Sequence, residues 1–243
     1  FILNITVFIV GVYFINRKFG NYFRILILSK LESNLNWRKE ILPLQTKIAI
    51  SWVCGYLQFQ LFNPILFKFE GPIVAGKFGL ALTIISGITS LSLAFIQPKV
   101  PLFSNLASLK KIDDLNKLFK YIFNKVNVVS ITLLLGFFII FIIFDFFFEN
   151  LINRTINPYQ FLILGLASYI NIIVTSYAYY LRSYYKEPLM FISIYNAVTI
   201  SVCVIIFTPL YGLNGMLISY LLSNFIISFN LTHKKFKSQI NVK

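Results

Sequence analysis

Acidic side chains, histidine and cysteine are all scarce in this chain of 243 residues. It contains eight Asp and Glu residues, one His and two Cys. Only 12% of its residues are charged, whereas an ordinary soluble domain has about 25%. Such a composition cannot cover a water-soluble fold with polar surface, which excludes a soluble globular protein. Cys54 and Cys203 have no Cys or His neighbours in the sequence, so we expect neither a disulfide framework nor a zinc site.

Apolar residues take the place of the missing charges. Hydrophobic residues make up 58% of the chain and include 27 Phe. A membrane-spanning helix needs about 20 predominantly apolar residues, and seven segments reach or approach this length. The predicted fold class is therefore all-α, a polytopic membrane bundle of about seven transmembrane helices. The predicted spans are residues 1–15 (truncated), 48–67, 73–96, 126–144, 159–181, 189–207 and 213–231.

The basic residues behind the net charge of +14 are unevenly distributed. All but Lys68, Lys77 and Arg154 fall in the loop after the first span, in alternate loops beyond it, or in the tail. Basic residues accumulate on the cytoplasmic side of a membrane. We therefore expect a bacterial inner-membrane protein with a cytoplasmic C-terminus and no nucleic-acid partner. An odd number of spans then places Phe1 outside, which predicts that the protein continues upstream.

Polar residues inside the spans recur at three- and four-residue steps, so they share helix faces. One such stripe follows the second span and another follows the fifth. Lipid cannot hydrogen-bond such side chains, so striped helices predict a hydrated cavity, although close packing between helices is the alternative. Lys77 lies off the polar stripe of its own span and near the outer end, where it could equally reach water. The substrate-binding candidates are Lys47, Ser51, Gln58, Asn171, Thr175, Arg182 and Lys77.

Neither a catalytic set nor a metal site is visible in the sequence. His233, the one histidine, lies in the tail, and Asp145 and Glu149 lie at a predicted outer boundary. We therefore expect no enzyme activity and no cofactor. Residues 102–122 alternate leucines and lysines at helical spacing, which predicts an amphipathic segment on the inner leaflet.

Several motifs occur in a fixed order along the chain. EILPLQ precedes the second span, SW..GY lies within it, GP.VAG follows it, and P.F..L with an amphipathic D..L..L segment follows the third span. Together with NPYQFLILGL and YGLNGM further on, this set resembles the C-terminal half of Wzx-type polysaccharide flippases. That family belongs to the exporter superfamily that also includes multidrug efflux proteins and lipid II flippases.

The resemblance implies a transporter of two six-helix bundles that works by alternating access. Residues 1–15 would be the last helix of the N-terminal bundle, 16–43 the cytoplasmic linker, 44–231 the C-terminal bundle and 232–243 a basic cytoplasmic tail. The implied substrate is an undecaprenyl-diphosphate-linked oligosaccharide for O-antigen or capsule, with Lys47 and Arg182 capturing the diphosphate. Membrane lipids and other polysaccharide-assembly proteins would be its partners. A small-molecule exporter of the same superfamily and a membrane polysaccharide polymerase or ligase remain as alternatives.

Overall fold

The computed structural model describes residues 6, 10–15, 17–19, 37–147, 155–184 and 187–241. The chain divides into two compact units, Phe1–Pro43 and Leu44–Lys243. The first unit contains helical residues at 10–15 and 17–19 and a short helix, α1 (Trp37–Glu40). Several residues used above to predict topology lie outside the described part, namely Arg24, Lys30, Glu149, Arg154, Lys186 and Lys243.

The second unit is built from long helices. They are α2 (Leu42–Leu93), α3 (Val100–Ser108), α4 (Ile112–Phe147), α5 (Pro158–Arg182), α6 (Met190–Ser223) and α7 (Asn230–Asn241). A 3₁₀ turn, Gln97–Lys99, precedes α3, and a π-helix, Asn224–Phe229, joins α6 to α7. Four stretches are long and apolar enough to cross a membrane: Leu42–Ser108, Ile112–Ile143, Pro158–Arg182 and Met190–Ile240. This confirms the predicted helical class and is compatible with a membrane bundle, and the number of seven spans stays a prediction.

The direction of α2 reverses at a glycine. Gly71 has φ 84° and ψ 175°, values that glycine adopts without strain because it has no Cβ. The rings of Phe62 and Phe78 on either side of it lie 6.1 Å apart between centroids. A straight helix would separate these residues by about 24 Å. Helix α2 is therefore an antiparallel hairpin, the first hairpin, with arms 42–70 and 72–93.

Helix α6 reverses in the same way at Gly212, where φ is 59° and ψ is −145°. Asn196 Nδ2 lies 3.4 Å from Asn224 Oδ1 although 28 residues separate them, a distance of about 42 Å along a straight helix. We call this the second hairpin, with arms 190–211 and 213–223, the latter continued by the π-helix. Both reversals lie between spans that the sequence predicted as separate.

The two hairpin tips lie together at one end of the bundle. The Glu70 carboxylate lies against Gly212, and Gln160 Nε2 near the start of α5 donates to Asn214 Oδ1 at 2.8 Å. We call this the hairpin-tip end. At the opposite end, Gln97 Nε2 donates to the Tyr179 hydroxyl at 3.3 Å. We call this the basic end. It contains most of the described basic residues of the second unit, including all those of residues 99–125 and of α7.

Aromatic side chains form the core of the basic end. Phe236 of α7 stacks on Tyr177 of α5 with 4.2 Å between centroids, and Phe119 of α4 lies 4.8 Å from Tyr180. Leu115, Phe119 and Ile122 are buried in this core. The prediction that the whole of 102–122 lies on the membrane surface is therefore wrong for its second half. That half is the start of α4, and its apolar face packs on protein instead of lipid.

Candidate functional site

A polar cavity of about 410 Å³ lies between arm 42–70, α5 and the second hairpin. It is close to the basic end, because it reaches Arg182 in the last turn of α5. Trp52, Tyr56 and Phe59 contribute aromatic surface to its wall. Its polar lining consists of Ser51, Gln58, Asn171, Thr175, Tyr179, Arg182, Ser193, Asn196, Asn224 and Ser228.

The structure brings five of the seven predicted binding residues to this polar cavity. They come from two helices whose polar stripes face the same space. The steps between them are seven residues on arm 42–70 and four and seven residues on α5, which place them on one face of each helix because such steps correspond to about one or two turns. Their role in binding a substrate stays a prediction. The five are Ser51, Gln58, Asn171, Thr175 and Arg182.

The other two predicted residues do not share this cavity. Lys47 is exposed one turn before Ser51 and is not part of the lining. Lys77 lines a second cavity of about 340 Å³, the hairpin-tip cavity, together with Glu70 and Gln160. The joint binding of one headgroup by Lys47 and Arg182 stays a prediction. Spacing along one helix predicted the face of Lys47 but not where the cavity ends.

A buried carboxylate holds Arg182 in place. Arg182 Nε lies 2.5 Å from Glu187 Oε2, and Nη2 lies 3.2 Å from Oε1, which is a bidentate ion pair. The Glu187 side chain is fully shielded from solvent, whereas that of Arg182 is 22% exposed. Ser51 Oγ also donates to Glu187 Oε1 at 3.4 Å. Glu187 thus connects α5 to the first hairpin beside the polar cavity.

The sequence reasoning missed Glu187. It lies in a predicted loop between spans, where a carboxylate is ordinarily solvated, so spacing gave no reason to select it. The available signal was its position five residues after Arg182. A cation and an anion at the two ends of a short connection can meet when that connection folds back on the bundle.

A second buried polar group faces the polar cavity on the other side. Asn196 is 3% exposed and donates from Nδ2 to Asn224 Oδ1, and Asn224 in turn donates to the Tyr220 carbonyl at 2.9 Å. Among the described residues, Asn196 Oδ1 has no hydrogen-bond partner. An unsatisfied buried acceptor is unfavourable by about 1–3 kcal/mol. Asn196 Oδ1 is therefore an unsatisfied acceptor at the wall of the polar cavity, which a donor reaches only if the side chain turns towards the cavity.

The polar cavity combines one guanidinium with amides and hydroxyls. A planar guanidinium matches phosphate oxygen atoms, and amide and hydroxyl groups match polyols. Within the described residues, no group of three or more His, Cys, Asp or Glu side chains is placed to hold a metal ion. The arrangement places a guanidinium, paired with Glu187, beside hydrogen-bonding groups that suit a hydroxyl-rich molecule.

Comparisons of this chain with protein-family models, with curated proteins and with solved structures find no match. The likeness to polysaccharide flippases therefore rests on the sequence motifs alone. The geometry described above stands independently of that likeness.

Proposed function

We propose that this chain is part of a flippase that moves undecaprenyl-diphosphate-linked oligosaccharide repeat units across the bacterial cytoplasmic membrane for O-antigen or capsule assembly. The observation that carries the proposal is the polar cavity, which contains Arg182 within an apolar helical bundle. Arg182 lies in the last turn of α5, at the end that this proposal places in the cytoplasm, where a lipid-linked diphosphate would arrive. Arg182 would bind the diphosphate, and Asn171, Thr175 and Asn196 would bind sugar hydroxyl groups.

In this proposal the arms and helices of the second unit cross the membrane six times, and residues 1–15 supply a seventh span. The basic end, with α7, lies in the cytoplasm, because basic residues are retained on that side. A lipid-linked substrate made on the cytoplasmic face would then meet the polar cavity from its basic end. The two-bundle transporter would open the polar cavity first to one face of the membrane and then to the other. The headgroup would cross the membrane through this alternating access.

The test is deletion of the gene in its bacterial host. We expect the surface polysaccharide to disappear while lipid-linked repeat units accumulate in the inner leaflet of the cytoplasmic membrane. The intact gene should restore the surface polysaccharide and remove the accumulated repeat units. The same gene with Arg182→Gln and Glu187→Gln should do neither. Normal polysaccharide in the deletion strain would contradict the proposal.

The same strain separates the alternatives. Repeat units that reach the outer leaflet but stay unpolymerised would identify a polymerase or ligase. Unchanged polysaccharide with altered drug susceptibility would identify a small-molecule exporter.

A further inference from the structure

Glu187 places a negative charge beside the cation that the proposed substrate requires. We propose that Glu187 is a displaceable counter-ion of Arg182, which a phosphate-type anion replaces when it enters the polar cavity. The inference rests on the proposed function, since it concerns the same cavity and explains how an anion would enter it. It assigns to Glu187 a positioning role, exerted through Arg182.

The geometry of the ion pair carries the first step. Glu187 occupies the edge of the guanidinium formed by Nε and Nη2. This edge presents parallel N–H donors, which are what a phosphate group binds in a bidentate manner. The pair has no net charge, so an anion gains little attraction from Arg182 while Glu187 is bound to it. Glu187 therefore lowers the affinity of the polar cavity for anions.

Burial carries the second step. The Glu187 side chain is fully shielded, and a buried charge without a partner is strongly unfavourable. Displacement therefore requires a ligand that binds the guanidinium at least as well as a carboxylate, and a released carboxylate that turns out to water. Neutral polyols do not meet the first condition, and phosphate groups do, because two of their charged oxygen atoms can accept the two parallel N–H bonds. The pair therefore selects phosphate-bearing ligands over neutral sugars.

The contacts around Glu187 show what its release would change. Ser51 Oγ binds the same carboxylate, so Glu187 connects arm 42–70 to the segment that begins α6. The next residue, Pro188, accepts a hydrogen bond from Lys235 Nζ of α7 at 2.5 Å. Three elements thus meet at this short segment. Displacement of the carboxylate would break the contact with the first hairpin and couple anion binding to its movement.

Equilibrium binding of inorganic pyrophosphate and of farnesyl diphosphate tests the inference, with the protein of the intact gene in lipid nanodiscs. We expect Glu187→Gln to bind both probes at least about fivefold more tightly than the wild type. Glu187→Asp, whose shorter side chain loosens the pair, should show a smaller gain. Glu70→Gln makes the same charge change at the hairpin-tip end and should leave the affinity unchanged. Tighter binding of farnesyl diphosphate than of pyrophosphate would identify a lipid-linked headgroup as the ligand, and equal affinity a free phosphate.

Weaker binding in the Gln and Asp variants, with a wild type that binds, would overturn the inference and leave the proposed function standing. Glu187 would then serve only to orient Arg182. Absence of binding of either probe to the wild type and to all variants would overturn both. If Glu187→Gln does not fold, as judged by size-exclusion chromatography, the direction of the change in Glu187→Asp decides the question.

Discussion

Two cavities of this molecule each have one basic and one acidic side chain in or beside their lining, in different arrangements. In the polar cavity, Arg182 forms a bidentate pair with Glu187, whose side chain is fully shielded. In the hairpin-tip cavity, Lys77 and Glu70 line one space of about 340 Å³. No ion pair joins these two within the part of the chain that the structure describes. The Glu70 carboxylate lies against Gly212 instead.

The difference follows from burial and from the shape of the cation. A shielded carboxylate requires a partner, and the guanidinium fork satisfies both of its oxygen atoms at once. A lysine is a compact charge on a flexible stem, and a half-buried one near the end of a span can keep its contact with water. The pair in the polar cavity is therefore the stable arrangement as long as no competing anion is bound. The charges at the hairpin tips are not tied to each other.

The strongest test of this comparison removes the charges from each cavity in turn. Arg182→Gln with Glu187→Gln should reduce transport of lipid-linked repeat units by roughly 10- to 100-fold, since a hydrogen bond to a charged group contributes about 1.5–3 kcal/mol. Removing both partners avoids leaving Glu187 buried without its cation. The matched pair, Lys77→Gln with Glu70→Gln, should have the smaller effect. Surface polysaccharide in the complemented deletion strain is the measurement, and a reversed order would contradict the comparison.

The stability of the hairpin-tip end depends more on the close approach of backbone atoms than on charge. A Cβ added at Gly215 would overlap the Phe207 carbonyl oxygen of the opposite arm. Because backbone atoms cannot rotate away, Gly215→Ala should lower the free energy of unfolding by about 1–3 kcal/mol. Gly87→Ala is the control, because nothing lies within 4 Å of its added Cβ. Thermal unfolding in detergent measures both, and equal midpoints would show that the second hairpin is less tightly packed than described.

The basic end is held together by aromatic packing as well as by the ion pair of Arg182 and Glu187. Phe236 contacts Tyr177, Tyr180 and Phe119 with centroid distances of 4.2–5.4 Å. Aromatic pairs contribute about 0.5–1.5 kcal/mol each beyond area burial, so Phe236→Ala should release α7 and speed tryptic cleavage at the tail lysines. Phe225→Ala removes a ring that is 51% exposed and should leave cleavage unchanged. Similar cleavage of both variants would mean that α7 is held by other contacts.

Local chemistry explains why part of this arrangement was predictable. Gly71 and Pro72 mark a helix break in any context, and the reversal lies there. Polar faces inside apolar spans have to avoid lipid, so the stripes of α2 and α5 lie against the polar cavity. Which helices are neighbours is a tertiary property that periodicity does not contain. For this reason the partnership of Arg182 with Glu187 could not be predicted, whereas the topology already placed Lys77 and Arg182 at opposite ends of the spans.

The same limit applies to Phe236 and to Asn196. Phe236 lies among basic residues, a setting typical of a solvated tail, and only the fold shows that its ring is inserted between α4 and α5. Asn196 lies within the predicted span 189–207, but its unpartnered oxygen depends on how Asn224 is oriented at the start of the π-helix. A π-turn has no reliable local sequence signal, so this acceptor was not predictable.

A variant of Asn196 can separate recognition of the phosphate from recognition of the sugar within the polar cavity. Asn196→Leu keeps the branched shape of the side chain and removes the unpartnered oxygen, but it also removes the donor to Asn224 Oδ1. Because the gain at one acceptor is offset by the loss at the other, the free energy of unfolding should change little. If this oxygen binds a sugar hydroxyl, affinity for the lipid-linked repeat unit should fall about two- to tenfold, as expected for one hydrogen bond of about 0.5–1.5 kcal/mol. Affinity for inorganic pyrophosphate should not change, because that probe has no sugar.

Ser201→Ala on the same arm is the matched control, since its hydroxyl donates to the Ala197 carbonyl of its own helix and it does not line the polar cavity. It should alter neither affinity. An equal loss for both ligands in Asn196→Leu would mean that the asparagine acts through the position of Arg182, because only the headgroup is common to the two. A loss confined to the repeat unit would divide the polar cavity into a phosphate side at Arg182 and a sugar side at Asn196.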